Sequence, residues 1–337
     1  MDWLNRMNQE VLRDHFRGAV LITRGEEIVL EKMSGYRDLA NEVPNDADTK
    51  FATASAGKAF VAVGILHLIE EERLHLDDTI GKLLPMDWRV IDPGITVEEL
   101  LTHTSGIPDY FDESVMSEYE ELWKDFPNYR IRSNRDLLPL FIDKPMAFPR
   151  GERFAYNNTG FVVLGMIIEA MTGEPFDVYL DKIVFRPSGM RNTGYYELDR
   201  LPAKCAMNYI FEKDNNGYRT NIYAVDAKGT GAGGALTTVH DVRRFWDALL
   251  SGKLLSAEML SKMLSRHAGD EEDSYGYGIW LTETAGDFDP YFQGSDPGVS
   301  FISRYCRKTG TTLVLISNYG DNVWALMKSI LADGEFS

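Results

Sequence analysis

Ser55 and Lys58 stand three residues apart at the head of the most apolar stretch of the chain, FATASAGKAFVAVGILHLI from Phe51 to Ile69. Lys58 carries the only formal charge between Lys50 and Glu70. Residues at this spacing share a helix face, so the amine can reach the hydroxyl. Burial disfavours an ammonium, and an amine that gives up its proton beside a hydroxyl is a base beside a nucleophile. The same residues also fit a plainer reading, with Ser55 capping the helix and Lys58 snorkelling out of its apolar surface.

A second group lies about a hundred residues on. Tyr156-Asn157-Asn158 follows the turn-rich Pro149-Arg150-Gly151-Glu152-Arg153-Phe154-Ala155 and precedes the apolar run GFVVLGMIIEAM. A tyrosine and an amide on a loop occupy the kind of segment that often carries catalytic groups. Alone, the triplet also fits a packed tyrosine followed by an asparagine N-cap.

The elements that must position these groups can be read from the apolar pattern. GAVLITRGEEIVLEKMSGY reads as two β-rich runs around Arg24-Gly25-Glu26-Glu27, a hairpin, and a helix is expected from Ser55 to about Glu72. Residues 3–16 have helix-like spacing. From about Glu72 to about Asp199 helical patterns and loops dominate, and Tyr119, Trp123 and Phe126 read as the packed side of a solvated helix, with the lining of a cleft as the alternative. AMNYIF and YRTNIYAV flank Asp214-Asn215-Asn216-Gly217, a turn signal that returns the chain to sheet. A helix over Val239 to Leu250, the strands YGYGIWL, DPYFQGS, GVSFISRY and TTLVLISNY, and a helix from Asn322 to Leu331 complete the chain. Strands at both ends with helices between them predict one sheet built from both termini, with a helical lobe inserted. The expected division is a single catalytic unit, with an α/β lobe over residues 1–71 and 205–337 and a helical lobe over 72–204.

Composition narrows the partners. With 337 residues and 44% hydrophobic content the chain can bury one large core or two moderate lobes. Its net charge of −17, from 35 basic and 52 acidic residues, argues against nucleic acid or an anionic membrane and for a small-molecule or short-peptide substrate. Cys205 and Cys306 have no CxxC spacing, and the six histidines show no paired-ligand pattern, so neither a metal nor another cofactor is expected. His103 reads as a structural group behind the site. Gly229 to Gly234 satisfies G-x-G-x-x-G, but the elements after it do not make a dinucleotide fold. The polar amino-terminal stretch lacks a secretory layout, and no run approaches the roughly 20 apolar residues of a membrane span, so a cytoplasmic protein is expected.

Taken together, Ser55-Ala56-Gly57-Lys58 and Tyr156-x-Asn158 resemble the first two motifs of the serine β-lactamase and penicillin-binding protein superfamily, in its class C β-lactamase and D-alanyl-D-alanine carboxypeptidase branch. Leu100-Leu101-Thr102-His103-Thr104-Ser105-Gly106-Ile107, Arg186-Pro187-Ser188-Gly189-Met190 and Gly231-Ala232-Gly233-Gly234 are similar to further segments of that branch, in the same order. The resemblance implies an α/β (α+β) fold of the β-lactamase/transpeptidase type, an antiparallel sheet flanked by helices, with the site in the cleft beside the helical lobe. It implies that Ser55 forms an acyl-enzyme, that Lys58 and Tyr156 share proton transfer, and that Asn158 holds Lys58 and offers its amide to substrate. The backbone N–H groups of Ser55 and Ser295 are the implied oxyanion hole.

The third motif departs. Where the family has Lys-Thr-Gly or His-x-Gly on the strand lining the site, this chain has Phe292-Gln293-Gly294, which the resemblance places with Asn158 among the substrate-binding residues, with Gly298 as the later glycine. The literal Lys308-Thr309-Gly310 falls between two strand-like runs and reads as their hairpin turn. Phe292 cannot hold a substrate carboxylate, and Gln293 can offer only a neutral donor. The expectation is a serine acyl hydrolase acting on an amide, β-lactam or ester. The alternatives are an esterase for neutral acyl groups or a non-catalytic scaffold that binds a ligand, and retention of Ser55, Lys58, Tyr156 and Asn158 together speaks against the latter.

Overall fold

The computed structural model describes residues 16–112, 115–116, 118–212, 217–270, 274–284 and 286–332. The helix expected over 3–16 and the turn at 214–216 fall almost wholly outside these residues. The large sheet has eight strands: β1 (Gly18–Arg24), β2 (Glu27–Ser34), β3 (Ala268–Gly269), β4 (Ser274–Tyr275), β5 (Trp280–Glu283), β6 (Phe288–Asp296), β7 (Val299–Cys306) and β8 (Thr311–Ser317). Their order is β2-β1-β8-β7-β6-β5-β4-β3 with antiparallel neighbours, so the two chain ends meet where β1 pairs with β8.

Four longer helices matter here: α1 (Lys58–Glu70), α2 (Asn158–Thr172), α3 (Val239–Leu250) and α4 (Val323–Ala332). The sheet is covered on both faces, which is why β1 and β8 read as unbroken apolar runs instead of alternating ones. On one face Val20, Ile22, Leu313 and Leu315 pack against Val323, Leu326, Met327 and Ile330, the helical-spaced stripe of α4. On the other, Ala19, Leu21, Val314 and Ile316 join the main core with α1, α2 and α3. All of α1 except His67, Ile69 and Glu70 is buried, as expected for a helix that is apolar around its whole circumference.

Between α1 and α3 the chain is less regular than a helical lobe suggests. Apart from α2, its described helices are short, such as Ile80–Leu83, Val97–Leu101 and the 3₁₀ segments Tyr119–Trp123 and Asn134–Leu140. Tyr209–Phe211 and Tyr218–Thr220 do pair, but as a separate two-stranded ribbon, so the chain rejoins the large sheet only at Ala268. Lys308-Thr309-Gly310 lies in the turn between β7 and β8, with Gly310 at φ +64°. No helix among the described residues is long and apolar enough to cross a membrane.

Candidate active site

Ser55 lies in a 3₁₀ turn, Ala54–Gly57, directly ahead of α1. The turn strains the backbone, since Ala54 takes φ +47°, a left-handed conformation that costs an L-residue about 1 kcal/mol or more. Its neighbours hold it there. Gly234 N donates to Ala54 O at 3.0 Å and Thr53 N donates to Ala235 O at 2.8 Å. A Cβ on Gly233 would lie 2.2 Å from Ala54 O, and one on Gly294 would lie 2.4 Å from Thr53 O and 2.6 Å from Ser55 N. The run that mimicked a dinucleotide motif thus packs one glycine against the serine turn, while β6 packs another from the opposite side.

Lys58 opens α1 and is 2% exposed. Its Nζ lies 2.9 Å from Ser55 Oγ, 2.9 Å from Asn158 Oδ1 and 2.5 Å from Ala232 O. It also sits 5.0 Å from the centre of the Tyr156 ring, which is itself stacked on Trp280 at 5.8 Å. The pair at the head of the apolar stretch is therefore in contact, and Lys58 does not snorkel.

Two buried groups fix the Tyr156-Asn157-Asn158 loop. His103, at φ +57°, accepts Asn157 N on Nδ1 at 3.1 Å and Ala155 N on its carbonyl at 2.9 Å, and its ring lies 4.5 Å from that of Tyr156. Burial, reinforced by the charge of Lys58, pushes its imidazole well below the usual range, so it stays neutral. Asp109 accepts the first N–H groups of α2, Asn158 N at 2.8 Å on Oδ2 and Thr159 N at 3.1 Å on Oδ1. Burial raises its carboxyl to about 6 against the opposing pull of those donors and of Lys58.

Asp109 also sets the Asn158 amide. Asn158 Nδ2 donates to Asp109 Oδ2 at 3.2 Å and to Phe111 O at 3.3 Å, which leaves Oδ1 for Lys58. Asn158 thus holds Lys58 and borders the first cavity, with its amide hydrogens directed to Asp109 and Phe111. Asn157 is the N-cap of α2, accepting Gly160 N at 2.8 Å.

The third-motif strand also differs from expectation. Phe292 is 2% exposed and packs among Phe60, Phe245, Trp246 and Phe301, lining neither cavity beside Ser55. It was expected among the substrate-binding residues; strand alternation turns it into the core instead. Gln293 does line the cleft, with its Oε1 accepting Trp324 Nε1 at 2.6 Å, and Gly294 and Ser295 line it alongside Ser55.

Two cavities meet at Ser55, the first with about 1090 Å³ of open space and the second with about 1400 Å³. Both are lined by Ser55, Phe111, Tyr119, Ser295 and Asp296. Tyr119, for which the sequence offers both a packed helix face and the cleft, reaches the cleft and donates to Asp226 Oδ1 at 3.0 Å. No group of three or more potential metal ligands occurs among the described residues. Sequence reasoning missed the Ala232 carbonyl and Asp109. A backbone oxygen has no residue signature, and Asp109 is one acid among 52.

A family profile described as Beta-lactamase matches residues 5–329. Penicillin-binding protein 4* of Bacillus subtilis (strain 168) is 27% identical over 324 residues, covering 91% of this chain and 69% of that relative. The crystal structure of a penicillin binding protein from Bacillus halodurans superposes with a TM-score of 0.92 at 36% identity, over 97% of this chain and 99% of that one. A D-amino acid amidase from Ochrobactrum anthropi SV3, complexed with L-phenylalanine amide, superposes with a TM-score of 0.81 at 25% identity over 98% of both chains. With the fold, the ordered motifs and these relatives in agreement, the chain belongs to the β-lactamase family and is a serine acyl hydrolase related to penicillin-binding proteins.

Proposed function

We propose that Ser55 is the acyl-accepting nucleophile and Lys58 its base. The observation that carries this is the set of three partners around Lys58 Nζ. Asn158 Oδ1 and Ala232 O can only accept, so they engage the two hydrogens of a neutral amine and leave its lone pair for the Ser55 hydroxyl. After transfer the ammonium uses its third hydrogen toward Ser55 Oγ, so the same geometry serves both protonation states.

Ser55 Oγ bonds to the acyl carbon as its proton passes to Lys58. The carbonyl oxygen becomes an oxyanion between the N–H groups of Ser55 and Ser295, donors typically worth roughly 3 kcal/mol each. Collapse breaks the bond to the leaving nitrogen or oxygen, which takes its proton through the Tyr156 phenol. Water then attacks the acyl-enzyme, and Ser55 regains its hydrogen as the acid departs.

The substrate is an amide, β-lactam or ester, and the family resemblance and the amidase likeness support the amide member of that set. Recognition of a substrate carboxylate, as a carboxypeptidase needs, lacks support: Phe292 is buried, and among the described residues neither cavity is lined by a lysine, arginine or histidine. The same observation favours, as a second reading, an esterase for neutral acyl groups. The test is covalent labelling by an uncharged fluorophosphonate. Wild type is expected to gain one adduct on Ser55 and Ser55→Ala none; undiminished labelling of Ser55→Ala would remove the assignment.

A further inference from the structure

Among the described residues the walls of the two cavities carry three carboxylates, Asp226 in the first, Glu118 in the second and Asp296 in both, and no basic side chain. Lys58 is sealed behind Ser55. The cleft therefore faces a ligand with negative charge, the reverse of a carboxylate-binding site.

Asp226 differs from the most fully buried acids of the protein. The carboxylates buried most completely, Asp78, Asp241 and Asp289, each meet a cation: Lys82, Arg244 at 2.6 Å and Arg304 at 2.8 Å. Asp177 likewise meets Lys228 at 2.7 Å. Asp226 has Tyr119 Oη as its hydrogen-bond donor among the described residues, and no cation opposes its burial, which raises its carboxyl to about 7. Tyr119 is in turn held 3.2 Å from Tyr110 Oη, so the phenol is fixed and Asp226 is aimed by it. Asp226 is thus a half-buried carboxylate that borders the cavity beside Ser55 without the cation that the most fully buried acids possess, and a ligand in that cavity can supply one.

The wall has the form an ammonium needs. Tyr110, Phe111 and Tyr119 border the same cavity, and Phe111 and Tyr119 meet edge to face at 4.9 Å, so the wall beside Asp226 is aromatic, a surface suited to a positive group. The overall charge of −17 draws cations toward the protein from a distance. We propose that the substrate of the Ser55 centre is an amide or ester bearing a protonated amine, seated between Asp226 and Asp296. This rests on the assignment of Ser55 above. The chemistry is unchanged: the amine takes no part in bond making and selects which acyl compounds dwell beside Ser55.

The experiment is protection of Ser55 from the uncharged fluorophosphonate, followed by intact mass, with n-butylammonium, butanol and butyrate as probes of equal length. Butylammonium is expected to halve the labelling rate at a concentration about tenfold below butanol, with butyrate weakest. Asp226→Asn is expected to bring the ammonium-to-alcohol ratio near one, and Asp296→Asn to reduce it, each ratio being internal to its variant. Equal protection by the three probes in wild type, or an ammonium preference intact in both variants, overturns the proposal while leaving Ser55 as nucleophile. Absence of labelling in wild type refutes the nucleophile assignment and this proposal with it.

Discussion

On the Ser55 side of the cleft nearly every group is tied to backbone. The Ser55 turn is clamped by Gly233, Gly234 and Gly294, Lys58 is shared between a carbonyl and an amide oxygen, and that amide is locked by Asp109 at the start of α2. On the facing side Asp226, Asp296 and Gln293 present side chains to open space, and the aromatic Phe292 lies behind them in the core. The difference separates two demands. Acyl transfer fails when an atom moves by an ångström, so its groups are over-determined. Substrate choice depends on charge and shape at the wall, where a side chain can be exchanged without moving the backbone.

The largest effects should come from the clamped side. Lys58→Ala is expected to lower the fluorophosphonate labelling rate about 10³-fold, within the usual range for a lost general base, with the melting temperature showing whether the fold survives. An effect below tenfold would move the base elsewhere. Gly294→Ala should cost about 10²-fold in the same assay, because the new Cβ meets Thr53 O and Ser55 N and must displace the turn. Wild-type labelling by that variant would show that the turn tolerates movement and that the two walls are not so different.

The buried aromatic behind the specificity wall gives a smaller, diagnostic effect. Phe292→Lys, which restores the residue type of the family motif, should destabilise the protein by about 3 kcal/mol without creating a preference for anionic substrates, since the new ammonium would enter an aromatic cluster. A stable variant that gains turnover of a carboxylate-bearing substrate would place position 292 in the cleft after all.

The smallest effect is a pH dependence. Asp109 is raised from 3.8 to about 6, so between these values the folded protein holds a proton that the unfolded chain has lost. Its contribution to stability is therefore full below 3.8 and declines as pH rises to about 6. Activity has the opposite sign. A protonated Asp109 loses an acceptor for Asn158 and Thr159, so labelling should fall as pH drops through about 6. Asp109→Asn should label roughly tenfold more slowly and lose that limb; an unchanged limb would assign it to another group.

Much of this architecture was legible in the sequence because it is written in period and order. The α1 stretch, the β1–β2 hairpin, the exact span Val239–Leu250 and the last three strands follow from apolar patterning alone. Ser55, Lys58, Tyr156 and Asn158 could be named because motif spacing and segment order are sequence properties. What escaped depends on contacts distant in the chain. Nothing near Asp109 announces that it will orient an amide 49 residues later, and nothing near Tyr119 foretells a bond to Asp226 across 107 residues. Phe292 was expected to bind substrate and is buried in the aromatic core, because motif register does not show which way a substituted side chain faces.

The central claim is an acyl-enzyme on Ser55. Wild type and Ser55→Ala should be mixed with an amino-acid amide, a nitrophenyl ester and a β-lactam, quenched in acid within the first turnover and resolved by intact mass and peptide mapping. The account predicts, for at least one substrate, a mass increase equal to the acyl group on the peptide containing Ser55, with neither adduct nor turnover in Ser55→Ala. Hydrolysis that persists in Ser55→Ala, or an adduct mapped to another residue, would contradict it.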